Sequence, residues 1–319
     1  MGSDRVGCRV SLLALLATGA GTPIDPPDPV DGVRAAIVAQ LDPANYPGRV
    51  FTVGTDHATV AGTIALADAA SSVGNWSLVM VPNGVTYAER IVRPAPGTAA
   101  FTDIRTIDLD GDPFTLNPPD DTDDTWEHRG IGGIIANAVL NGKGTKSAVH
   151  SGEYSAGADT EYIYYNVTGT QTGTSNDAFS WGVGPGQRIY AYDCQWNGLT
   201  GERAVYVHNF PAADLSRTGP AVVVFDGCVL TGRAPGSGSA SMTLLEEDSD
   251  QADVIYISGG SMPAASGVGY AYLAPATTAS WSGAVDAALP YSTSVSPSGI
   301  TRVMPDALPT PARLAAWLA

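Results

Sequence analysis

Apolar and polar positions repeat through the middle of the chain with a period of about thirty residues, which is in the range of one structural repeat of a solenoid protein. Each copy has a short apolar strand, a polar loop, a second apolar strand and a turn with a small or amide-type residue. The copies begin at Ala148, Ala178, Ala204 and Ala240, and their turns lie at Asn166, Asp193, Asp226 and Ser258. An earlier, weaker copy, GIIANAVLNGKG, places Asn137 at the amide position. The unequal steps indicate that length varies in the loops.

One such repeat cannot bury its apolar side chains, whereas stacked repeats at the inter-strand spacing of about 4.8 Å bury them and pair the backbone. The pattern therefore predicts an all-β fold, a single-stack parallel β-helix. We expect like side chains to stand in files, with Ile163, Tyr190, Val223 and Ile255 in one and Tyr165, Tyr192, Phe225 and Ile257 in another. Both sides of these strands are apolar, so one side lines the core, and a loop or another chain covers the other. The sequence leaves open which side is inward.

The two ends of the chain follow other patterns. CRVSLLALLATGAG resembles the apolar region of a signal peptide, or it is an apolar arm that docks on a neighbour. A Pro-rich spacer follows, and then a helix capped by Asp31 with Val33, Ile37 and Leu41 on one side. Residues 50–84 indicate a strand, a helix and a strand. The final segment, TPARLAAWLA, predicts a short C-terminal helix.

These patterns divide the chain into three parts. Residues 1–49 form an α-containing attachment region, residues 50–262 form the β-helix with its entry unit, and residues 263–319 form a C-terminal extension that ends in the short helix.

Composition and charge indicate which classes of binding partner to expect. The chain has 37 Gly, 23 Pro and only 15% charged residues, which favours turns and β structure over long helices. Its formal net charge is -16 and no cluster of Lys and Arg occurs, so we expect no nucleic-acid partner. No apolar run reaches the roughly 20 residues that span a bilayer, and we expect no membrane span.

The three cysteines, Cys8, Cys194 and Cys228, cannot all pair within one chain and show no metal-binding spacing. Cys194 and Cys228 fall at similar places in their repeats if Gly227 is treated as an insertion. They are two small buried hydrophobic residues stacked in the core, or alternatively a redox pair.

Acidic residues supply the candidates for catalysis and metal binding. Glu246, Glu247 and Asp248 directly follow a predicted strand, although neighbouring residues of a strand point to opposite sides. The run PPDDTDDTWEH, from Pro118 to His128, indicates a solvated loop, with catalysis as the alternative. Asp108, Asp110 and Asp112 alternate as calcium ligands do but lack the downstream Glu, so a turn with incidental acids competes with a metal site. We expect no cofactor.

Aromatic and histidine residues on predicted strands could contact sugar rings, with packing as the alternative. The candidates are Trp181, Trp196, Tyr206 and His208. His150 and His208 fall at similar places in their repeats, two turns apart, which separates them by roughly 10 Å, too far to share a metal ion or a proton. No Ser/His/Asp set is evident in the sequence.

The repeats, together with VPNGVTYAERI, resemble the pectin-lyase-like superfamily of right-handed parallel β-helices. Two features are similar, more narrowly, to β-helical tail proteins of phages that infect actinobacteria: the entry unit ending in VMVPNGVTYAE, and the succession AVHSG, GVGPGQRIYAYDC, AVYVHN. The likeness covers about residues 50–262. Pectin methylesterases share a Gly-x-Tyr-x-Glu entry, but here an extra residue separates Gly84 from Tyr87, and the paired aspartates and the Arg-Pro-Trp segment of those enzymes are missing.

The resemblance implies a structural virion protein, a minor tail protein, tail fibre or tailspike. Such a protein assembles in the host cytoplasm, forms a homotrimer, contacts other tail proteins through the N-terminal arm and adheres to the bacterial surface or its glycan. The resemblance favours adhesion over catalysis. A glycan depolymerase, lyase or hydrolase, is the first alternative. A capsid decoration or head-fibre protein and a secreted bacterial β-helix are the others.

Overall fold

The computed structural model describes residues 29–72, 75–92, 102–128, 132–151, 161–173, 177–183, 188–198, 204–209, 222–231, 245–247, 254–258, 271–272 and 278–282. These residues form a mostly β protein, a parallel β-solenoid with two short helices near its N-terminal region. The predicted parallel β-helix is therefore confirmed. The right-handed sense of the coil stays a prediction. The apolar arm, Cys8, Asp248 and the C-terminal helix lie outside the described residues.

Three walls of parallel strands make up the solenoid. Wall 1 consists of β1 (Val50–Thr52), β2 (Ser77–Val81), β5 (Thr102–Thr106), the first halves of β8 (Gly133–Gly142) and β10 (Glu161–Gln171), β12 (Arg188–Tyr192), β15 (Val222–Asp226), β18 (Val254–Ser258) and β20 (Thr278–Ser282). Wall 2 consists of β3 (Thr86–Tyr87), β6 (Phe114–Leu116), the second halves of β8 and β10, β13 (Gln195–Asn197) and β16 (Val229–Thr231). Walls 1 and 2 form one 13-stranded sheet.

Wall 3 is a separate seven-stranded sheet. It consists of β4 (Ile91–Val92), β7 (Trp126–His128), β9 (Val149–Ser151), β11 (Phe179–Val183), β14 (Val205–Asn209), β17 (Leu245–Glu247) and β19 (Ala271–Tyr272). Each strand pairs in parallel with the strand of the next turn. From β2 to β17, each turn thus contributes one strand or strand half to each wall.

The corner between walls 1 and 2 explains the amide-type residues of the repeat. In four successive turns the corner residue has a positive φ, at Asn137 (58°), Asn166 (52°), Asp193 (55°) and Gly227 (65°). Asn, Asp and Gly adopt this left-handed conformation more readily than other residues. The repeated phrase in the sequence therefore marks one sharp bend per turn.

Side-chain amides connect the corners of successive turns. The Asn137 amide nitrogen donates to Thr106 Oγ1 at 2.9 Å and to the Gly111 carbonyl at 2.9 Å, and the Asn166 amide nitrogen donates to Asn137 Oδ1 at 2.9 Å. Asn137 is buried. This amide ladder therefore satisfies polar groups that the corner removes from the backbone pairing of the sheet.

The predicted files are wrong by one residue where β12 pairs with β15, and correct in register at the neighbouring pairings. Tyr190 is paired with Val224 instead of Val223, and Tyr192 is paired with Asp226 instead of Phe225. The reason is Gly227, which is not an insertion but occupies the corner position itself. Cys194 and Cys228 consequently follow their corners in register. The file of Tyr164 and Ala191 continues to Phe225 and Ile257, whereas Tyr165 and Tyr192 continue to Asp226 and Ser258.

The inward side of wall 1 carries Tyr162, Tyr164, Ile189, Ala191 and Phe225, which belong to the main core cluster. Helix α2 (Val60–Ala70) covers the first-turn end of this core with buried residues that include Val60, Ile64 and Ala67. Its N-terminus is capped by Thr59, and the Glu89 carboxylate accepts the Val60 and Ala61 N–H groups at 3.2 and 2.9 Å. The predicted strand–helix–strand unit is confirmed as β1, α2 and β2.

Helix α1 (Pro29–Gln40) covers the outer side of wall 1, and it begins before Asp31, so that residue lies within the helix and is not its cap as predicted. Ile37 and the following Leu41 pack with a second apolar cluster that includes Ile134, Ile163, Tyr190 and Val224, all at most 2% exposed. The chain's own helix thus covers the second apolar side of the strands, a role for which the sequence suggested a loop or another chain. A 3-10 turn (Pro43–Asn45) follows α1.

Beyond α1, the segment is fixed by Tyr46, whose hydroxyl donates to the buried Asp103 carboxylate at 2.5 Å. The second oxygen of Asp103 accepts the Ile134 N–H at 2.8 Å. Burial and then the Asp103 charge raise the pKa of Tyr46, so this hydroxyl remains a donor through the neutral pH range. The buried carboxylate thereby joins the segment after α1 to two turns of wall 1.

Arg34 of α1 binds two carboxylates, Asp193 at one corner and Asp226 beside the next. Its guanidinium donates to both oxygens of Asp193 at 2.5 and 2.7 Å and to Asp226 Oδ1 at 3.1 Å. Hydrogen bonding to Asp193 raises the pKa of Arg34 further above its usual range. A Cβ on Gly227 would approach Asp193 Oδ1 to 2.5 Å and Arg34 Nη2 to 2.7 Å. Glycine at this corner therefore provides both the positive φ and the space for the ion pair.

Replacing Arg34 with Met should detach α1 from the corners, because Asp226 is buried and would lose its cation. We expect a loss of about 2 kcal/mol in the free energy of unfolding and faster hydrogen exchange in residues 33–41. Arg90→Met is the matched control, because Arg90 and Asp123 are both about 40% exposed and their pair should contribute less than about 1 kcal/mol. Unchanged exchange in Arg34→Met would show that the ion pair does not hold α1.

Replacing Asn137 with Ala should remove two donated hydrogen bonds and place a Cβ residue at φ 58° without a compensating amide. We expect a loss of about 3 kcal/mol in unfolding free energy, measured by chemical denaturation. Asn137→Gly removes the same bonds without the backbone strain and should lose less. Equal losses in the two variants would show that the left-handed conformation is not a source of the effect.

Candidate functional site

The outer side of wall 3 carries a file of polar and aromatic residues that we call the wall 3 file. Its members are paired in register from turn to turn and are, in order, Glu127, His150, Ser180 and Tyr206; Val92 precedes them in the same register, and the backbone register continues to Glu246 and Tyr272. The residues just before Val92 and before the four members are apolar and belong to the core. Because successive side chains of a strand point to opposite sides, these five face away from the core.

Asp124 and His150 form the best-defined contact at this file. Asp124 Oδ2 lies 3.0 Å from His150 Nδ1, and the exposed fractions of the two side chains are 11% and 18%. The other oxygen of Asp124 accepts the Ser147 N–H at 2.6 Å. A carboxylate fixed in this way holds the imidazole in one orientation.

Glu127 and Ser180 flank His150 on the neighbouring strands. Glu127 is 3% exposed and Ser180 is 7% exposed. Both are paired in register with His150, so each lies about one strand spacing, 4.8 Å, from it along the wall. Tyr206, which is half-buried, follows Ser180. Together with Asp124, the file thus brings a base, a hydroxyl, two carboxylates and an aromatic ring within about three strand spacings.

The acidic run before wall 3 has two environments. Asp120 and Asp121 are exposed, and the Thr122 hydroxyl and N–H, which donate to Asp120, lower the pKa of Asp120. Arg90 donates to Thr122 and Asp123 at 2.8 and 2.9 Å. Asp124 and Glu127 are instead buried at the wall. The run is therefore partly the solvated loop that the sequence indicates and partly the wall 3 file.

Two of the four residues predicted to bind glycan lie in the core. Trp181 is 1% exposed and Trp196 is fully buried, so neither indole offers a surface to a sugar. Trp196 packs edge-on against Tyr164, with ring centroids 5.6 Å apart, and at a tilt against Phe179, with ring centroids 4.8 Å apart. These indoles are packing residues, the alternative that the sequence left open.

The two other predicted glycan contacts differ in position. Tyr206 belongs to the wall 3 file, on the outer side of the wall. His208 is paired with Gly182, whereas His150 is paired with Ser180. The two histidines therefore occupy different files, which corrects the expectation that they fall at the same place in their repeats.

The predicted acidic candidates are not brought together. Glu246 and Glu247 lie within β17, not after a strand, and are paired with Tyr206 and Val207. Asp108, Asp110 and Asp112 lie at the turn after β5, where Asp108 Oδ1 accepts the Asp110 N–H at 3.1 Å. The Asn83 amide nitrogen donates to the Asp108 and Asp112 carbonyls at 2.7 and 3.0 Å. In the described ranges, no three His, Cys, Asp or Glu side chains are placed so that they could hold a metal ion.

Cys194 and Cys228 are both free and buried in the core. Cys194 Sγ contacts the Tyr192 and Tyr164 carbonyls at 3.3 and 3.4 Å. Burial raises the pKa of the Cys194 thiol well above its usual value, which suppresses the reactive thiolate. This environment favours a packing role over a redox role.

The sequence did not reveal the combination of Asp124, His150 and Ser180, because these residues belong to successive turns. A signal was nevertheless present. His150, Ser180 and Tyr206 each follow the alanine that begins a repeat by two positions. Aligning the repeats on those alanines places all three in one file, which the structure confirms.

Comparisons of the chain with protein-family models, curated proteins and solved structures gave no match. No helix in the described part of the chain has the length and apolar character to cross a membrane. The functional argument therefore rests on the fold and on the wall 3 file.

Adding a methyl group at Gly169 should destabilise the core, because its Cβ would lie 2.6 Å from the Trp196 ring. We expect Gly169→Ala to lose about 2 kcal/mol and Trp196→Leu about 3 kcal/mol in unfolding free energy. In the double variant the smaller side chain accommodates the methyl group, so the loss should fall below the sum of the two. Additive losses in denaturation experiments would contradict this packing.

Proposed function

We propose that this chain is a structural protein of a phage tail, a minor tail protein, fibre or spike, that presents a β-solenoid to the host surface and adheres to its glycan. The observation that carries the proposal is the wall 3 file, a row of hydrogen-bonding side chains and one ring on the outer side of a regular solenoid. The sequence resemblance supplies the virion context and the right-handed sense of the coil.

The structure of the solenoid suits a projecting role. Successive turns are joined by parallel pairing in three walls, α2 covers one end of the core, and α1 braces wall 1 through Arg34. Elements held by such continuous packing resist bending better than a chain of separate domains. Because α1 and Tyr46 are part of the packed body, the attachment arm of our proposal is limited to residues 1–28. The homotrimer and the contact with other tail proteins rest on the resemblance to spikes.

Charge indicates the class of glycan. With a formal net charge of -16, the protein repels anionic polymers over about one Debye length, roughly 8 Å at physiological salt. Neutral or cationic polysaccharides suit this surface better. Sugar hydroxyls can hydrogen-bond to the His150 and Tyr206 side chains, which are partly exposed, and the Tyr206 ring can contact the apolar face of a sugar.

A glycan depolymerase is the second candidate, favoured by the buried Asp124 and Glu127, which both lie on the β7 side of His150. Glu127 and Glu246 cannot serve as a pair, because four strand spacings, about 19 Å, separate them. Catalytic carboxyl pairs lie about 5 to 9.5 Å apart. Among the described acidic residues of this wall, Asp124 and Glu127 are left as the candidate pair. Release of oligosaccharide from purified host envelope would identify such an enzyme.

Replacing Tyr206 with Ala should weaken binding to host envelope polysaccharide by about tenfold, because it removes the aromatic ring of the wall 3 file. Co-sedimentation with envelope material measures the affinity. Trp181→Phe is the matched control, because it changes a buried aromatic residue, and it should bind as the wild type does. Wild-type affinity in Tyr206→Ala would show that the file is not the contact surface.

The position in the particle requires a separate measurement. Imaging of intact particles with a label on this protein should place it on the tail. A label on the capsid would instead favour the decoration protein, and absence from particles would favour the secreted β-helix. Failure of the wild-type protein to bind any host glycan would remove the adhesive function.

A further inference from the structure

Asp124, His150 and Ser180 come from three successive turns along wall 3. We propose that they form a hydrolytic site in which Ser180 is the nucleophile, His150 the general base and Asp124 the group that orients His150. The substrate class is a small ester of a glycan hydroxyl, such as an acetyl ester. The choice of a glycan rests on the proposed adhesive function, whereas the site itself rests on the geometry.

The order of the three side chains matches the order of proton transfer. Asp124 lies on the side of β7, at 3.0 Å from His150 Nδ1. With Nδ1 directed to this carboxylate, Nε2 is at the opposite edge of the imidazole. Ser180 lies on the following strand, β11, in register with His150 and on the same outer side. A catalytic triad is defined by the spatial arrangement of its nucleophile, base and carboxylate, whatever the order of these residues in the chain.

The second oxygen of Asp124 makes this carboxylate a rigid support. It accepts the Ser147 N–H at 2.6 Å, and Ser147 is buried. Burying an acid–histidine pair carries a desolvation penalty, and apolar replacements for such pairs are often neutral or stabilising. A pair of this kind at the wall surface is therefore better explained by chemistry than by stability.

Each step of the reaction balances. Ser180 Oγ bonds to the carbonyl carbon, and its proton passes to His150 Nε2. The bond between the carbonyl carbon and the sugar oxygen then breaks, and the sugar oxygen takes the proton from His150. Water attacks the acyl-serine in the same way, which releases the carboxylic acid and restores the Ser180 hydroxyl. Asp124 stabilises the imidazolium in both steps.

Limited exposure sets the size of the acyl group. Ser180 is 7% exposed and the His150 side chain 18% exposed. A two-carbon acyl group has the smallest steric demand at such a position, whereas a long acyl chain would require the wall 3 surface to open. We therefore assign acetyl rather than long-chain esters.

The test uses the full-length protein, a small fluorophosphonate and p-nitrophenyl acetate. The fluorophosphonate should label Ser180, as located by peptide mass spectrometry, with loss of fluoride. Ser180→Ala should abolish both labelling and hydrolysis. Asp124→Asn should lower the hydrolysis rate about 100-fold or more, and Thr168→Ala on wall 2 should retain it. Because labelling is measured on the wild-type protein, misfolding of a variant cannot hide the result.

Two outcomes would overturn the inference: a folded wild-type protein with no adduct at Ser180, or wild-type hydrolysis in Ser180→Ala. Glycan binding distinguishes this inference from the proposed function. If Ser180→Ala still sediments with envelope polysaccharide but no longer releases acetate from it, both stand. Envelope binding without any Ser180 adduct would support the adhesive function and contradict the hydrolytic site. A Ser180 adduct without envelope binding would support the hydrolytic site and contradict the adhesive function.

Discussion

Each turn of the solenoid pairs with the turn before it and the turn after it, and this requirement acts most sharply at the corner between walls 1 and 2. There the backbone takes a positive φ in four successive turns, while the flanking strands stay in register. Asn137, Asn166, Asp193 and Gly227 meet that requirement. A slip by one residue would exchange inward and outward side chains along a whole strand, so the corner sets which residues form the core.

The corners also determine where α1 binds. Amides occupy the corners of the earlier turns and bond to one another, whereas Asp193 replaces the amide in a later turn and Asp226 lies beside the next corner. The row of corner amides is therefore followed by two carboxylates, and Arg34 of α1 neutralises their charge. Gly227 leaves the space in which this ion pair forms. One helix consequently covers an apolar wall and neutralises two carboxylates.

The wall 3 file is a second product of in-register stacking. Asp124, His150 and Ser180 are distant in the chain, but parallel pairing brings their turns to neighbouring positions. Adhesion and ester hydrolysis would use the same file, since Tyr206 adjoins Ser180 along the wall. A protein that holds a glycan while removing its small ester groups would combine both proposals on one surface.

The sequence by itself determined the parallel β-solenoid, the strand–helix–strand entry and helix α1, because apolar periodicity and turn residues are local signals. It also indicated three of the corner residues, Asn137, Asn166 and Asp193, but placed the next corner at Asp226, one residue before Gly227. Only the tertiary structure decided that Gly227 is a corner rather than an insertion, that Trp181 and Trp196 face inward, and that α1 covers wall 1. It likewise decided that His150 lies between Asp124 and Ser180. These features depend on register and on which side of a strand is buried, and both are set by contacts between distant turns that no local pattern specifies.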